Sequence, residues 1–213
     1  MSTNAYTAML HQMILMARDP LIYIAIDEDS GSFAPEERAA IRVAKAHALL
    51  GVLRLNEALT LALENNRELA MLDLPELTAF NLFALIDTYR RLGDHHSVKN
   101  YSEKATQLIG KTTPHDVDLM IKCVKMNLRY HSFDQIRSEA ELIGDKLDKA
   151  ENPYCRTRVL RCLGQIYNLS GKQETALDYL SAAYDVASQN QISILSLQIC
   201  IEMVGICSQL GKY

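Results

Sequence analysis

Two short runs of basic and amide side chains hold the clearest chemistry in this sequence. Lys122, Lys125 and Arg129 fall three and four residues apart, and so do Arg158, Arg161 and Gln165. On a helix such spacings put the members of each run on one face. If the two helices are neighbours, about 8–10 Å apart, the runs merge into a basic patch. A guanidinium donates two parallel hydrogen bonds to a carboxylate, so the patch would suit an acidic or carboxylate-bearing peptide. The alternative is a solvated face balanced by Asp116, Asp118 and Glu151, because exposed ion pairs contribute little.

Other constellations fail on count. Asp27-x-Asp29 opens like a calcium loop, but Ser32 stands where the glycine belongs and Arg38 where the closing glutamate belongs. His95-His96 has no third ligand at metal spacing. Cys155/Cys162 and Cys200/Cys207 are each seven apart, two turns along one helix face, a core spacing. Together with Cys123 they make an odd number with no CxxC, which predicts reduced thiols and no disulfide framework. There is no GxSxG, Walker loop, GxGxxG or HExxH. The reading is a segment without catalytic residues, metal or cofactor.

The elements that must position these residues follow from a ladder of prolines. Pro35, Pro75, Pro114 and Pro153 are 40, 39 and 39 residues apart, and each opens a stretch patterned for helix. Proline loses nothing at the first helical position, where its N–H would have no partner. A second ladder runs through Leu55, His95, Phe133, Gln173 and Tyr213. First helices are predicted near 35–52, 75–92, 114–131, 153–170 and 193–210, and second helices near 56–72, 95–110, 133–150 and 173–190. Asn152 and Thr113 are placed as caps, and Gly93, Gly171 and Gly211 as helix stops. The turns between them are short, so the helices of each pair run antiparallel.

Residues 1–34 read as an N-terminal capping helix over 3–18, with Tyr6, Met9, Leu10, Met13 and Ile14 at helical spacing, a break at Asp19-Pro20 and an acidic loop over 27–32. Between them Leu21, Ile22, Ile24 and Ile26 form an apolar run, either a cap over the first repeat or a homodimer contact. The window from Met9 to Ile26 is interrupted by His11, Arg18, Asp19 and Pro20, which excludes a membrane span. Of 26 acids and 22 bases, residues 1–75 hold ten and six. A net charge of −4 excludes the strongly basic footprint of a nucleic-acid binder.

Leu163-Gly164-x-x-Tyr167, followed by Gly171, Ala176 and Ala183, resembles the tetratricopeptide repeat (TPR). Leu85, Tyr89, Gly93 and Ala105 keep part of the pattern one period-pair earlier, and Ala46 and Ala58 a fragment of it. The resemblance covers residues 35–213, with a period of 38–40 in place of 34. It implies an all-α, right-handed α-α superhelix of pairs near 35–72, 75–110, 114–150 and 153–190 and a half pair at 193–213. In such arrays the first helices line a groove, which here would take His47, Asp87, Lys122, Lys125, Arg129, Arg158, Arg161, Gln165 and Asn168.

Longer-period arrays of this type precede output domains in bacterial signalling proteins, diguanylate cyclases of the GGDEF type among them. The expectation is therefore a cytoplasmic, non-catalytic protein- or peptide-binding regulatory module, the N-terminal part of a longer protein whose fifth pair is completed after Tyr213. A free-standing adaptor or co-chaperone and a peptide-responsive transcription regulator are the alternatives.

Overall fold

The computed structural model describes residues 16, 18–27, 33–112, 115–129, 133–147, 150 and 152–211, with backbone alone at 115, 128–129 and 133–136. Among the described residues ten helices are present: α1 Pro20–Ile24, α2 Pro35–Gly51, α3 Leu55–Leu69, α4 Pro75–Leu92, α5 His95–Thr106, α6 His115–Arg129, α7 Phe133–Lys146, α8 Pro153–Leu169, α9 Gln173–Gln189 and α10 Ser193–Gln209. There is no strand among the described residues. The chain divides into two compact units, 1–113 and 114–213. The division falls where the third predicted pair begins.

In the first unit α2 packs on α3 and α4, α3 on α4, and α4 on α5. Proline starts α2 and α4, and the Glu37 carboxylate accepts the Ala34 N–H at 3.1 Å to close the entry to α2. Alanines at 39, 44, 46, 48, 58 and 62 are fully buried and let the helices approach closely. Phe80 and Phe83 fill the remaining volume edge to face, 5.7 Å between centroids, each contributing roughly 1.5–3 kcal/mol by burial. An asparagine pair threads this apolar contact. Asn65 Nδ2 donates to the Ala39 carbonyl at 3.2 Å and to Asn81 Oδ1 at 3.3 Å, and Asn81 Nδ2 donates to the Ala62 carbonyl at 2.9 Å. Two buried amides thereby lock α2, α3 and α4 in one register.

In the second unit α6 packs on α7 and α8, α7 on α8, α8 on α9 and α10, and α9 on α10. Asn152 caps α8 as expected, accepting the Cys155 N–H at 3.1 Å. Its own N–H donates to buried Asp116 Oδ2 at 2.9 Å, so a side chain from the first turn of α6 supports the start of α8. Gly164 is the close-approach point of the α8–α9 pair. A Cβ there would lie 2.7 Å from Leu180 Cγ and 3.2 Å from the Ala176 carbonyl oxygen. Tyr167 stacks on Tyr179 at 5.2 Å. Seventy-eight residues earlier, Tyr89 stacks on Tyr101 at 5.5 Å between α4 and α5.

Gly93 and Gly171 end α4 and α8 in the left-handed region, φ 77° and 76°. The equivalent turn after α2 uses Leu53 at φ 63°, a conformation that costs a residue with a Cβ about 1–2 kcal/mol. The second helix of pair two ends early, at Thr106 rather than 110, because turns over Gln107–Lys111 and Gly110 at φ 80° close it. The predicted Thr113 cap, the helix over 3–15 and the loop over 28–32 lie outside the described residues.

Asp19-Pro20 starts a helix here. Asp19 accepts the Leu21 N–H at 3.2 Å and proline opens α1. The apolar run then splits. Tyr23 is buried, Ile24 packs against Leu49, Leu50 and Ala58, and half-buried Ile26 offers its carbonyl to Lys45 Nζ at 2.9 Å. Leu21 and Ile22 face solvent. α1 therefore packs on the first pair with one side and leaves two aliphatic side chains outside.

Candidate site on the first helices of the second unit

The contacts of α8 with α6 and α10 bring three first helices of the second unit side by side. Lys122, Lys125, Arg158, Arg161, Gln165 and Asn168 are all partly exposed on them. Their charges are met from within the unit. Lys122 Nζ pairs with Asp118 one turn earlier. Lys125 Nζ reaches Glu139 Oε1 on α7 at 3.3 Å. Arg158 donates from Nη1 to the Tyr154 hydroxyl at 3.4 Å and lies 5.9 Å from that ring's centroid, a cation–π geometry. Arg129 is the last residue of α6, and its side chain lies outside the described set.

Arg161 is the most heavily engaged. Its Nε donates to Glu202 Oε1 at 3.0 Å, Nη2 donates to the same oxygen, and Nη1 donates to Gln198 Oε1 at 2.6 Å. Gln165 Nε2 adds a third donor to Glu202 Oε1 at 2.9 Å, while Oε2 takes no hydrogen bond. A carboxylate gripped by an arginine and an amide is the arrangement expected for a ligand, and Glu202 of α10 supplies it from inside the chain. Sequence reasoning picked out the arginine and the glutamine and missed Glu202 and Gln198. The repeat held the signal, since Glu202 follows Arg161 by 41 residues, one period and one residue.

The first-unit candidates behave differently. His47 is a core residue and not a groove residue. It is buried, and its Nε2 lies 3.0 Å from the Phe80 carbonyl oxygen, tying α2 to α4. Helical spacing alone could not distinguish a groove-facing histidine from one satisfied by a backbone carbonyl 33 residues away. Asp87 is partly exposed and accepts from Arg90 Nη1 at 2.8 Å. A sequence signal that went unread is Glu68, which receives Arg42 Nη1 at 2.6 Å beside Arg38 Nε at 3.8 Å.

All five cysteines are free. Cys123, Cys155 and Cys162 are buried, and Cys162 Sγ lies 3.8 Å from the Cys123 carbonyl oxygen and accepts from Asn127 Nδ2 at 3.4 Å. The hydrogen bond to Cys162, with burial second, pushes the Cys123 thiol well up, and burial does the same for Cys155. Both outweigh the opposing charge of Arg158 and keep these thiols protonated and unreactive. Among the described residues no group of three or more His, Cys, Asp or Glu is arranged to hold a metal, and no helix is long and apolar enough to cross a membrane.

No protein-family model, no curated protein and no solved structure matches this chain. What stands is an all-helical protein of consecutively packed pairs, a packing compatible with a helical repeat.

Proposed function

We propose that this chain is a non-catalytic protein- or peptide-binding module built as a TPR-like, right-handed superhelix. It works as the N-terminal regulatory part of a cytoplasmic bacterial signalling protein, with a GGDEF-type diguanylate cyclase as the favoured output. The observation that carries the reading is the packing of α8 against both α6 and α10, which sets the polar side chains of successive first helices on neighbouring helices. Arg158 is the anchor of a face for an acidic peptide, and Lys125 and Arg161 contribute less because Glu139 and Glu202 already balance them.

An array of acidic peptides probed with the purified chain tests this. Arg158→Ala is expected to weaken the selected peptides about tenfold, the scale of one lost charge-assisted contact, and Lys125→Ala to weaken them less. Unchanged affinity in both overturns the reading. The regulatory part is tested on the full-length protein, where a selected peptide should change cyclase turnover.

A further inference from the structure

Glu202 is held by one of its two oxygens. Arg161 Nε at 3.0 Å, Arg161 Nη2, and Gln165 Nε2 at 2.9 Å all converge on Oε1. Oε2 is enclosed by the chain and takes no hydrogen bond. A carboxylate that meets an arginine fork squarely gives each oxygen its own N–H donor. An enclosed acceptor left without a donor is a net loss to the contact that strands it. Glu202 therefore fills its place with an imperfect fit.

The donors are set up for a better one. Gln198 Oε1 accepts from Arg161 Nη1 at 2.6 Å and so orients the guanidinium plane. That leaves Nε and Nη2, the two parallel donors of the other edge, for a carboxylate, with Gln165 Nε2 beside them. Arg161 and Glu202 keep 22% and 25% of their side-chain surface exposed, so a ligand can reach the pair. Ion pairs at such exposure are weak and yield to competition and salt. Arg158 stands three residues earlier on α8, about 5–6 Å away between Cβ atoms. A peptide anchored at Arg158 thus brings its next acid to Arg161.

The same bonds tie α10 to α8, while α10 also packs on α9. Replacing Glu202 would loosen the first tie and leave the second.

We propose that Arg161 and Gln165 form a carboxylate-binding site that Glu202 occupies as an internal substitute, and that an acidic ligand binds by expelling Glu202 and untying α10 from α8. This rests on the acidic-peptide reading and supplies its regulation: the chain's own acid closes the site and the ligand's acid opens it. An internally occupied site binds more weakly by the fraction of time it stands open.

The probe is fluorescein-labelled hexaglutamate with an amidated C-terminus, titrated by fluorescence polarisation against the 213-residue chain. Labelled hexa-alanine, as free acid and as amide, is run beside it. Glu202→Ala is expected to tighten binding at least fivefold, and adding Arg161→Ala to remove the gain. A gain with hexaglutamate identifies side-chain carboxylates as the ligand, and a gain with free-acid hexa-alanine over its amide identifies a chain terminus. A gain with none of them overturns the proposal. Glu202→Gln, of the same shape, is the second variant should the alanine variant misfold by circular dichroism, with at least twofold tightening expected. In the unsubstituted chain, saturating ligand should shift the Arg161 Nε–H resonance and speed hydrogen exchange in α10; an unmoved resonance overturns the displacement. The two readings part at Arg158. Weakening by Arg158→Ala with indifference to Glu202→Ala keeps the acidic-peptide face and sinks this proposal. Tightening by Glu202→Ala with indifference to Arg158→Ala keeps the carboxylate site and sinks the Arg158 anchor.

Discussion

The two units build the same helix-pair pattern with different polar connections. In the first unit most cross-helix bonds run from buried amides and an imidazole to backbone, Asn65 to Ala39, Asn81 to Ala62 and His47 to Phe80, beside the side-chain pairs Asn65–Asn81 and Arg42–Glu68. In the second unit they are mostly side chain to side chain at partly exposed positions: Lys125 to Glu139, and Arg161 and Gln165 to Glu202. Backbone acceptors are fixed by the fold, so the first unit's register is set by geometry that no substitution of the acceptor can remove. Partly exposed ion pairs are worth about 0–1 kcal/mol and yield to salt. The second unit is therefore the one whose first helices can exchange partners.

Variants and a pH series press on that contrast. The largest effect belongs to Gly164→Val, which forces atoms into Leu180 and the Ala176 carbonyl. Urea titration should show a loss of about 3 kcal/mol, the upper end for overpacking, confined by hydrogen exchange to the second unit. Next, Asn81→Ala should cost the first unit about 2 kcal/mol by leaving Asn65 and its neighbours short of partners. Arg161→Ala in the second unit should cost under about 1 kcal/mol. A larger loss from Arg161→Ala than from Asn81→Ala would reverse the comparison.

At the turns, Gly93→Ala should destabilise by about 1 kcal/mol, while Leu53→Gly should stabilise by a similar amount. The smallest effect is common to both units. Burial raises Tyr101, Tyr167 and Tyr179 above the ordinary tyrosine value near 10. A phenol whose folded value is raised contributes stability that is complete below the unfolded value and lost as pH climbs. Thermal melts should therefore hold below about pH 10 and fall as pH climbs past it, less so in Tyr101→Phe with Tyr179→Phe.

Much of the fold was legible because its signals are local and periodic. Proline at a first helical position and glycine past the last one mark α4 and α8 at both ends, and the predicted bounds, 75–92 and 153–170, match Pro75–Leu92 and Pro153–Leu169. The site was legible by half. The face carrying Arg158, Arg161 and Gln165 follows from spacing, but Glu202 joins it only once α8 and α10 touch. His47 was misplaced for the same reason, since its partner is a main-chain oxygen that leaves no mark in a side-chain pattern. The two faces of α10 were hidden by its composition. A helix apolar all round reads like core, and only exposure separates Leu197, Ile201 and Val204 from Leu195, Ile199 and Ile206.

The bond from Asp116 to Asn152 also bears on how the second unit assembles. The Asn152 that starts α8 is itself oriented by a carboxylate laid down 36 residues earlier, in the opening turn of α6. During synthesis that carboxylate emerges first and waits. The first turn of α6 is then a template for the start of α8. A lesion at Asp116 would be inherited downstream, through α8 to α9 and α10, while leaving α6 a helix.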